Sequence, residues 1–440
     1  MILFLFLFLF LNFSSDSLLY SKYVSGHYFL TDNKNFSAAE KNGYAFLVFT
    51  GYPHYLNSDI YYILRTPTTT FIDTPIKIFE DPPSTRPPYD GSPVLVIDSS
   101  YNFKLHIFWN SERNLGGYPF WWQTDIFYSY SLPPYIYFPG IENISRDTNS
   151  FDLFPSATCD LDNRIYVVYW KIKEWEESIY LAERDNFGNW INKKITNENE
   201  LAENPLIITL KNNDKVIFYY EAISKKILAR KFKNNIFQGP FEIARGYNYS
   251  VNFTGIELYI TYIRNDSLFL KITDYSFNTK NNLFLDKGEG FYLKNPSSIF
   301  FFDTLFIFYE KGNNINSDIY LIKYKNPLIE KNLFVTSLGK NEIPIPLITS
   351  EGEFFVFFQS DRSKYTGTLP YGLSHIYFKK KTFAYTIKRD KRKFLTFSLP
   401  TDKKEIEIYN ISGRKIKGKF KDGIYFLKNK KGEKFKCILF

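Results

Sequence analysis

The side chains able to do chemistry in this 440-residue chain are few and scattered. Four histidines (His27, His54, His106, His375) and two cysteines (Cys159, Cys437) show none of the spacing that a metal centre needs, so no metal and no cofactor are expected. The cysteines lie in segments of different character, which argues for free thiols and against a disulfide framework. Ten arginines are spread from Arg65 to Arg362 without forming a cluster in sequence. There is no phosphate-cradling P-loop, no nucleophile elbow, no H-E-x-x-H and no dinucleotide fingerprint. A carboxylate pair of the glycosidase kind would have to be assembled by the fold, because no sequence spacing supports one. No catalytic residue is therefore assigned. Two stretches do gather polar and aromatic groups. "NSERNLGGYPFWWQ" (110–123) sets Glu112 and Arg113 beside Trp121 and Trp122, and "QSDRSKYTGTLPYG" (359–372) sets Asp361 and Arg362 beside Tyr365 and Tyr371. Exposed Trp and Tyr with a few charged partners suit a sugar or peptide surface, which makes these eight the candidate ligand-binding residues. The alternative is structural: Glu-Arg and Asp-Arg pairs that brace a loop, with aromatics covering the ends of strands.

Such loops must be carried by something, and the composition says strands. Aromatic residues make up 20% of the chain, with 46 Phe and 35 Tyr against a single Met. One phrase recurs: "SDIYYIL" (58–64), "TDIFYSY" (124–130), "ESIYLAE" (177–183), "SDIYLIK" (317–323) and "SHIYFKK" (374–380), with weaker copies "KKILARK" (225–231) and "DSLFLKI" (266–272). Upstream of each lies an aromatic strand such as "KLHIFWN" (104–110) or "EFFVFFQ" (353–359). Before several of these comes a third piece, among them "FSAAEKNG" (36–43), "PSATCDLDN" (155–163), "PLIITLKNND" (205–214), "PSSIFFFD" (296–303) and "PLITSEG" (346–352). Four-stranded units of about 40 to 50 residues are the mark of propeller blades. The chain is therefore expected to be all-β, a β-propeller of about seven four-stranded blades over residues 26–382. "GHYFLTD" (26–32) is expected to supply the outer strand of the last blade and close the ring. "DLDN" (160–163) reads as a strand-linking turn in preference to half a calcium loop.

Two of these units resemble a known family. Residues 103–129 and 350–378 run turn, aromatic strand, "S-[DE]-R", loop and "DIY", and so resemble TolB-type propeller repeats. A looser resemblance is to sialidase-like propellers, whose Asp boxes occupy the turn that "ERDNFGNW" (183–190) fills with Asp, Gly and Trp. Both resemblances imply propeller architecture and leave activity open.

The two ends differ from the body. Residues 388–440 hold 17 Lys and Arg against 6 Asp and Glu, whereas the other 387 residues hold 38 against 40. The body thus lacks the basic footprint of a nucleic-acid-binding domain, and no nucleic acid is expected as a partner. The segment "FSLPTDKKEIEIYNISGRKIKGKFKDGIYFLKNKKGEKFKCILF" (397–440) is punctuated by turn glycines and reads as a small C-terminal β-sandwich over 383–440. It resembles the type A C-terminal sorting domain of the type IX secretion system, through the motif residues Tyr409, Ser412, Gly413, Arg414, Gly423 and Tyr425. That resemblance implies export through the periplasm, passage across the outer membrane, removal of the tail, and attachment to the cell surface or release. Its partners would then be the secretion and sorting machinery. At the other end, residues 1–17 read as a signal peptide, since the apolar run 2–11 is too short to span a bilayer, which takes about 20 residues. No transmembrane segment is expected in the mature protein. The whole is read as an exported binding protein for a glycan or protein ligand, with a sialidase-like surface glycoside hydrolase as the rival.

Overall fold

The computed structural model describes residues 17–18, 32–54, 57–69, 71, 75–79, 88–100, 102–113, 123–146, 149–185, 187–337, 339–362, 365 and 374–382, and in the tail residues 407–410, 423–428 and 434–439. The chain divides into two compact units, 1–384 and 385–440. Among the described residues no helix is long and apolar enough to cross a membrane.

The first unit is an all-β ring of seven four-stranded antiparallel sheets, a β-propeller. Strand β1 (Ser17–Leu18) stands apart in sequence, and the remaining strands follow in blade order. Blade 1 holds β2 (Asp32–Lys41), β3 (Tyr44–His54), β4 (Asn57–Arg65) and β5 (Ile76–Lys77). Blade 2 holds β6 (Asp90–Ile97), β7 (Leu105–Ser111), β8 (Asp125–Ser131) and β9 (Glu142–Asn143). Blade 3 holds β10 (Phe151–Cys159), β11 (Ile165–Lys173), β12 (Glu176–Arg184) and β13 (Trp190–Lys194). Blade 4 holds β14 (Ala202–Thr209), β15 (Lys215–Glu221), β16 (Lys226–Lys233) and β17 (Ile236–Arg245). Blade 5 holds β18 (Tyr247–Phe253), β19 (Glu257–Arg264), β20 (Ser267–Asp274) and β21 (Thr279–Lys287). Blade 6 holds β22 (Tyr292–Phe301), β23 (Thr304–Gly312), β24 (Ser317–Lys325) and β25 (Leu328–Val335). Blade 7 holds β26 (Asn341–Ile348), β27 (Glu353–Ser360) and β28 (His375–Thr382), and its outer strand is β1.

The near-continuous apolar runs follow from this arrangement. A middle strand is covered on both faces, so its alternate residues feed two different cores. In β3, Ala45, Leu47 and Phe49 enter the core shared with blade 7, while Phe46 and Val48 enter the core shared with blade 2. Every seam has such a core, and all eight residues of β27 are buried for the same reason. The recurring "DIY" phrase is the third strand of each blade.

Ring closure differs from the expectation. Ser17 pairs with Phe378 and Leu18 with Tyr377, so residues well before 26–32 complete blade 7. Asp32 instead opens the innermost strand of blade 1, opposite Tyr52, and residues 26–31 lie outside the described residues. The alternating pattern of "GHYFLTD" is a stronger strand signal than Ser17–Leu18, whose two-residue ladder has no sequence signature of its own.

The second unit, taken by itself, contains β29 (Glu407–Asn410), β30 (Gly423–Lys428) and β31 (Lys434–Leu439) in one antiparallel three-stranded sheet. Tyr409 lies opposite Phe426, Tyr425 opposite Cys437, and Gly423 opposite Leu439. Of the sorting-motif residues, Ser412, Gly413 and Arg414 lie outside the described residues, and the described strands form one sheet, without the second layer that the expected sandwich requires.

Candidate functional site

The innermost strands β2, β6, β10, β14, β18, β22 and β26 carry one shared irregularity. Each has a register shift against its neighbour near its start. The residue at each shift has a left-handed backbone: Asn35 (φ 42°), Ser92 (48°), Phe154 (47°), Asn204 (53°), Asn248 (47°), Asn295 (49°) and Ile343 (51°). Four of the seven are Asn, the non-glycine residue most at ease in that region, whereas Phe154 and Ile343 hold it at a steric cost. In blades 2, 3, 4, 6 and 7 a proline follows (Pro93, Pro155, Pro205, Pro296, Pro344). Proline has no N–H to leave unpaired, so it suits a bulged position where the ladder is interrupted. The loop between the second and third strands of each blade leaves from this same end of the ring.

These seven bulges line a central cavity of about 690 Å³. Its wall is built from amides, small hydroxyls and rings, with Phe36, Phe154, Tyr220, Tyr247 and Tyr249 contributing the rings. Among the described residues, Glu203 is the one ionisable carboxyl in the wall, and no lysine or arginine lines it. The seams beside the cavity are stitched across blades. Asn248 Oδ1 accepts from the Asn295 N–H at 3.1 Å, the Tyr249 hydroxyl donates to the Asn204 carbonyl at 2.6 Å, and Ser156 Oγ accepts from the Ile207 N–H at 3.2 Å.

Burial, reinforced by Glu177, holds the Glu203 carboxyl above the usual range, and burial with Glu203 beside it raises Tyr220. Behind the wall, the Asn295 amide donates to Glu310 Oε2 at 2.9 Å. Glu310 is buried on β23. Burial first, and then the nearby Glu342, push its carboxyl up to about 7, against the pull of hydrogen bonds from Tyr292 and Asn295.

The residues singled out from sequence lie elsewhere. Arg113 is buried, its guanidinium 2.7 Å from Asp90 Oδ2 and stacked over Phe79 at 4.8 Å, while its N–H donates to Ser111 Oγ. Arg362 repeats the arrangement within blade 7. Its guanidinium donates to Ser360 Oγ at 3.0 Å and to Asn341 Oδ1 at 2.9 Å, and it lies over Tyr377 at 4.5 Å. Asp90 and Asn341 are the first residues of β6 and β26, so "S-[DE]-R" is a clasp from the second strand of a blade to the first strand of the same blade. The phrase "SDIY" supplies the matching clasp between blades. Ser58 Oγ donates to the Asp90 carbonyl and accepts from its N–H, and Ser317 does the same to Asn341.

The Glu112 N–H donates to the Tyr89 carbonyl, Asp361 Oδ1 accepts from the Lys340 N–H at 2.6 Å, and Tyr365 is half exposed. Trp121, Trp122 and Tyr371 lie outside the described residues. None of the five described candidates lines the cavity. The turn at 160–163 is formed as expected, with Asp160 Oδ1 accepting from the N–H groups of Asp162 and Arg164. Asp185 does likewise from Phe187 and Asn189, in the turn likened to an Asp box. The cavity residues themselves were missed, although the x-Pro steps just before the inner-strand runs were a usable signal. In blade 7 the bulge falls at Ile343-Pro344, two residues before the Pro346 at which the sequence reading begins that strand.

No protein-family model matches the chain, and no curated protein matches it. Among solved structures it is similar to a protein of unknown function from Dyadobacter fermentans DSM 18053, with 11% identity over 83% of this chain and 97% of that one, at a TM-score of 0.50. It is also similar to the Hadza microbial sialidase Hz136, with 10% identity over 64% of this chain and 63% of the sialidase (TM-score 0.47). A third is the Trypanosoma rangeli sialidase in complex with sialic acid, at 8% identity over 65% and 53% (TM-score 0.44). The chain thus spans less than two thirds of either sialidase. At such identities the first of these likenesses bears on the fold alone, and that fold is the β-propeller.

Proposed function

We propose that this is an exported protein whose propeller binds a glycan at the central cavity without transforming it, and whose C-terminal unit is a sorting domain. The observation that carries the binding reading is the cavity wall: amide groups and aromatic rings around a space of about 690 Å³, with no basic residue among its described lining. Amides pair with hydroxyl groups, and aromatic rings cover the apolar faces of sugars. The described wall offers an acidic sugar no arginine for its carboxylate, which favours this reading over sialidase-type chemistry. A glycan array probed with the full chain tests it, and binding should fall when Asn204 and Asn295 are both replaced by Ala. An array with no bound glycan, alongside capture of a defined peptide at the cavity, would turn the reading toward a protein ligand. Export rests on the apolar run 2–11 and the tail motifs; Ser17, the last residue of the expected signal peptide, pairs in blade 7. Deleting residues 383–440 should leave the protein in the periplasm, and unaltered secretion would overturn the sorting role.

One observation favours the rival reading of a surface glycoside hydrolase. Glu310 and Glu342 form a carboxyl pair beside Asn295, with one member held up to about 7, which is how a proton donor is prepared for work at neutral pH. Turnover of fluorogenic glycosides that disappears in Glu310→Gln would establish the hydrolase and sink binding without turnover.

A further inference from the structure

We propose that Glu203 is the charge-selecting group of the central cavity and that the ligand it receives carries a protonated amine on its sugar. This rests on the glycan reading above and narrows it. Glu203 is half-buried on β14, and among the described residues no hydrogen bond or ion pair reaches its carboxyl. This is unusual here, because the other acids near the inner strands are spoken for: Asp90 by Arg113, Asp160 by Lys215, and Glu310 by Asn295. Its neighbours add to the negative field instead of cancelling it, since the Glu177 carboxylate repels it and, among the described residues, no lysine or arginine shares the wall. Tyr220 lies directly opposite Glu203 in the ladder, and Tyr247 and Phe154 stand in the same wall with 40% and 44% of their surface open.

A carboxylate flanked by aromatic faces and lacking a cation is the complement of an ammonium group. Such a group supplies three donors and an opposite charge to the carboxylate, and its polarised hydrogens sit well over a ring. A neutral sugar would cover the carboxylate without compensating its charge, which costs binding free energy. An acidic sugar would meet like charge from Glu203, with Glu177 adding to it.

Calorimetric titration of the full chain at about pH 6.5, where sugar amines are protonated, distinguishes these cases. The probes are the glucosamine trimer, the N-acetylglucosamine trimer and sialyllactose. The glucosamine trimer is expected to bind at least about tenfold more tightly than its N-acetylated counterpart, the size of one partly desolvated charge pair. In Glu203→Gln that ratio should fall to within about twofold, because glucosamine-trimer binding weakens while the N-acetylated trimer binds as well or more tightly. A urea unfolding transition matching that of the parent checks that the variant is folded. Equal binding of both trimers by the unaltered protein, or binding of sialyllactose, would overturn charge selection while leaving the glycan reading in place. If none of the three binds but another neutral glycan on the array does, the amine assignment alone is overturned. If no glycan binds at all, the reading beneath it falls.

Discussion

Replacing Glu310 by Gln should change how stability depends on pH, and the size of the change can be worked from the structure. Glu310 is buried between blades 6 and 7 with Asn295, Tyr292 and Glu342 around it. In the unfolded chain its carboxyl titrates near the ordinary value of 4.5, and in the fold it is held up to about 7. A raised value means that the folded chain keeps its proton longer. The group's contribution to stability is thus intact below about pH 4.5 and is lost as the pH rises through about 7. At about 1.4 kcal/mol per pKa unit, the gap amounts to about 3 kcal/mol. Gln cannot ionise, keeps an acceptor for the Asn295 amide, and should remove that loss. Urea unfolding of both full-length proteins, followed by tryptophan fluorescence from about pH 4.5 to 8, measures the difference directly. Groups away from the site cancel in the comparison. The Gln variant should gain on the parent steadily across this window, by as much as about 3 kcal/mol at its upper end. A difference that stays constant would show that Glu310 titrates as it does in the unfolded chain, and the account of a buried carboxyl pair would be wrong.

Other substitutions test the clasps and the seams. Arg113→Ala should cost about 3 kcal/mol or more in thermal or urea unfolding, because it removes the guanidinium that pairs with the buried Asp90 carboxylate. Glu112→Ala, by contrast, should stay within about 0.5 kcal/mol of the parent, since among the described residues only its backbone is engaged. Gly339→Ala should destabilise by about 1 kcal/mol or more, as the residue has φ +90° and a Cβ would stand 2.3 Å from Asp361 Oδ1. Phe357→Ala should cost about 3 to 5 kcal/mol, because the ring is fully buried and packs against Phe71, Phe355 and Phe378. A loss below about 1 kcal/mol at Phe357 would mean that the seam between blades 7 and 1 is not closed as described.

The propeller was legible because its repeat is written twice over, in the "DIY" strand and in the aromatic strand before it, and each copy is bounded by turn residues. Ring closure was not, because Ser17 and Leu18 make two ladder pairs and leave no periodic trace. The clasping arginines show a different limit. Arg113 looked like a ligand-binding residue beside Trp121 and Trp122, yet its partner Asp90 lies 23 positions earlier and only the folded blade joins them. The cavity was hidden for a third reason. A bulge shifts the register by one residue, which breaks alternation where a strand pattern is weakest, and Asn204 or Asn295 then reads as an ordinary turn residue. The sorting role proposed for the tail rests on likeness alone, since its charge and glycine spacing state a composition and not a task.

The seven left-handed bulges have a consequence for how such a protein can change. Their positions are dictated by the backbone and by the proline steps beside them, while the side chains they present differ from blade to blade: Asn, Ser, Phe and Ile all occupy equivalent places. Some of these side chains, Asn248 and Asn295 among them, also bond to neighbouring strands. The lining of the cavity can therefore be rewritten one blade at a time, as though editing a seven-letter word, with a cost to the ring only at letters such as these two.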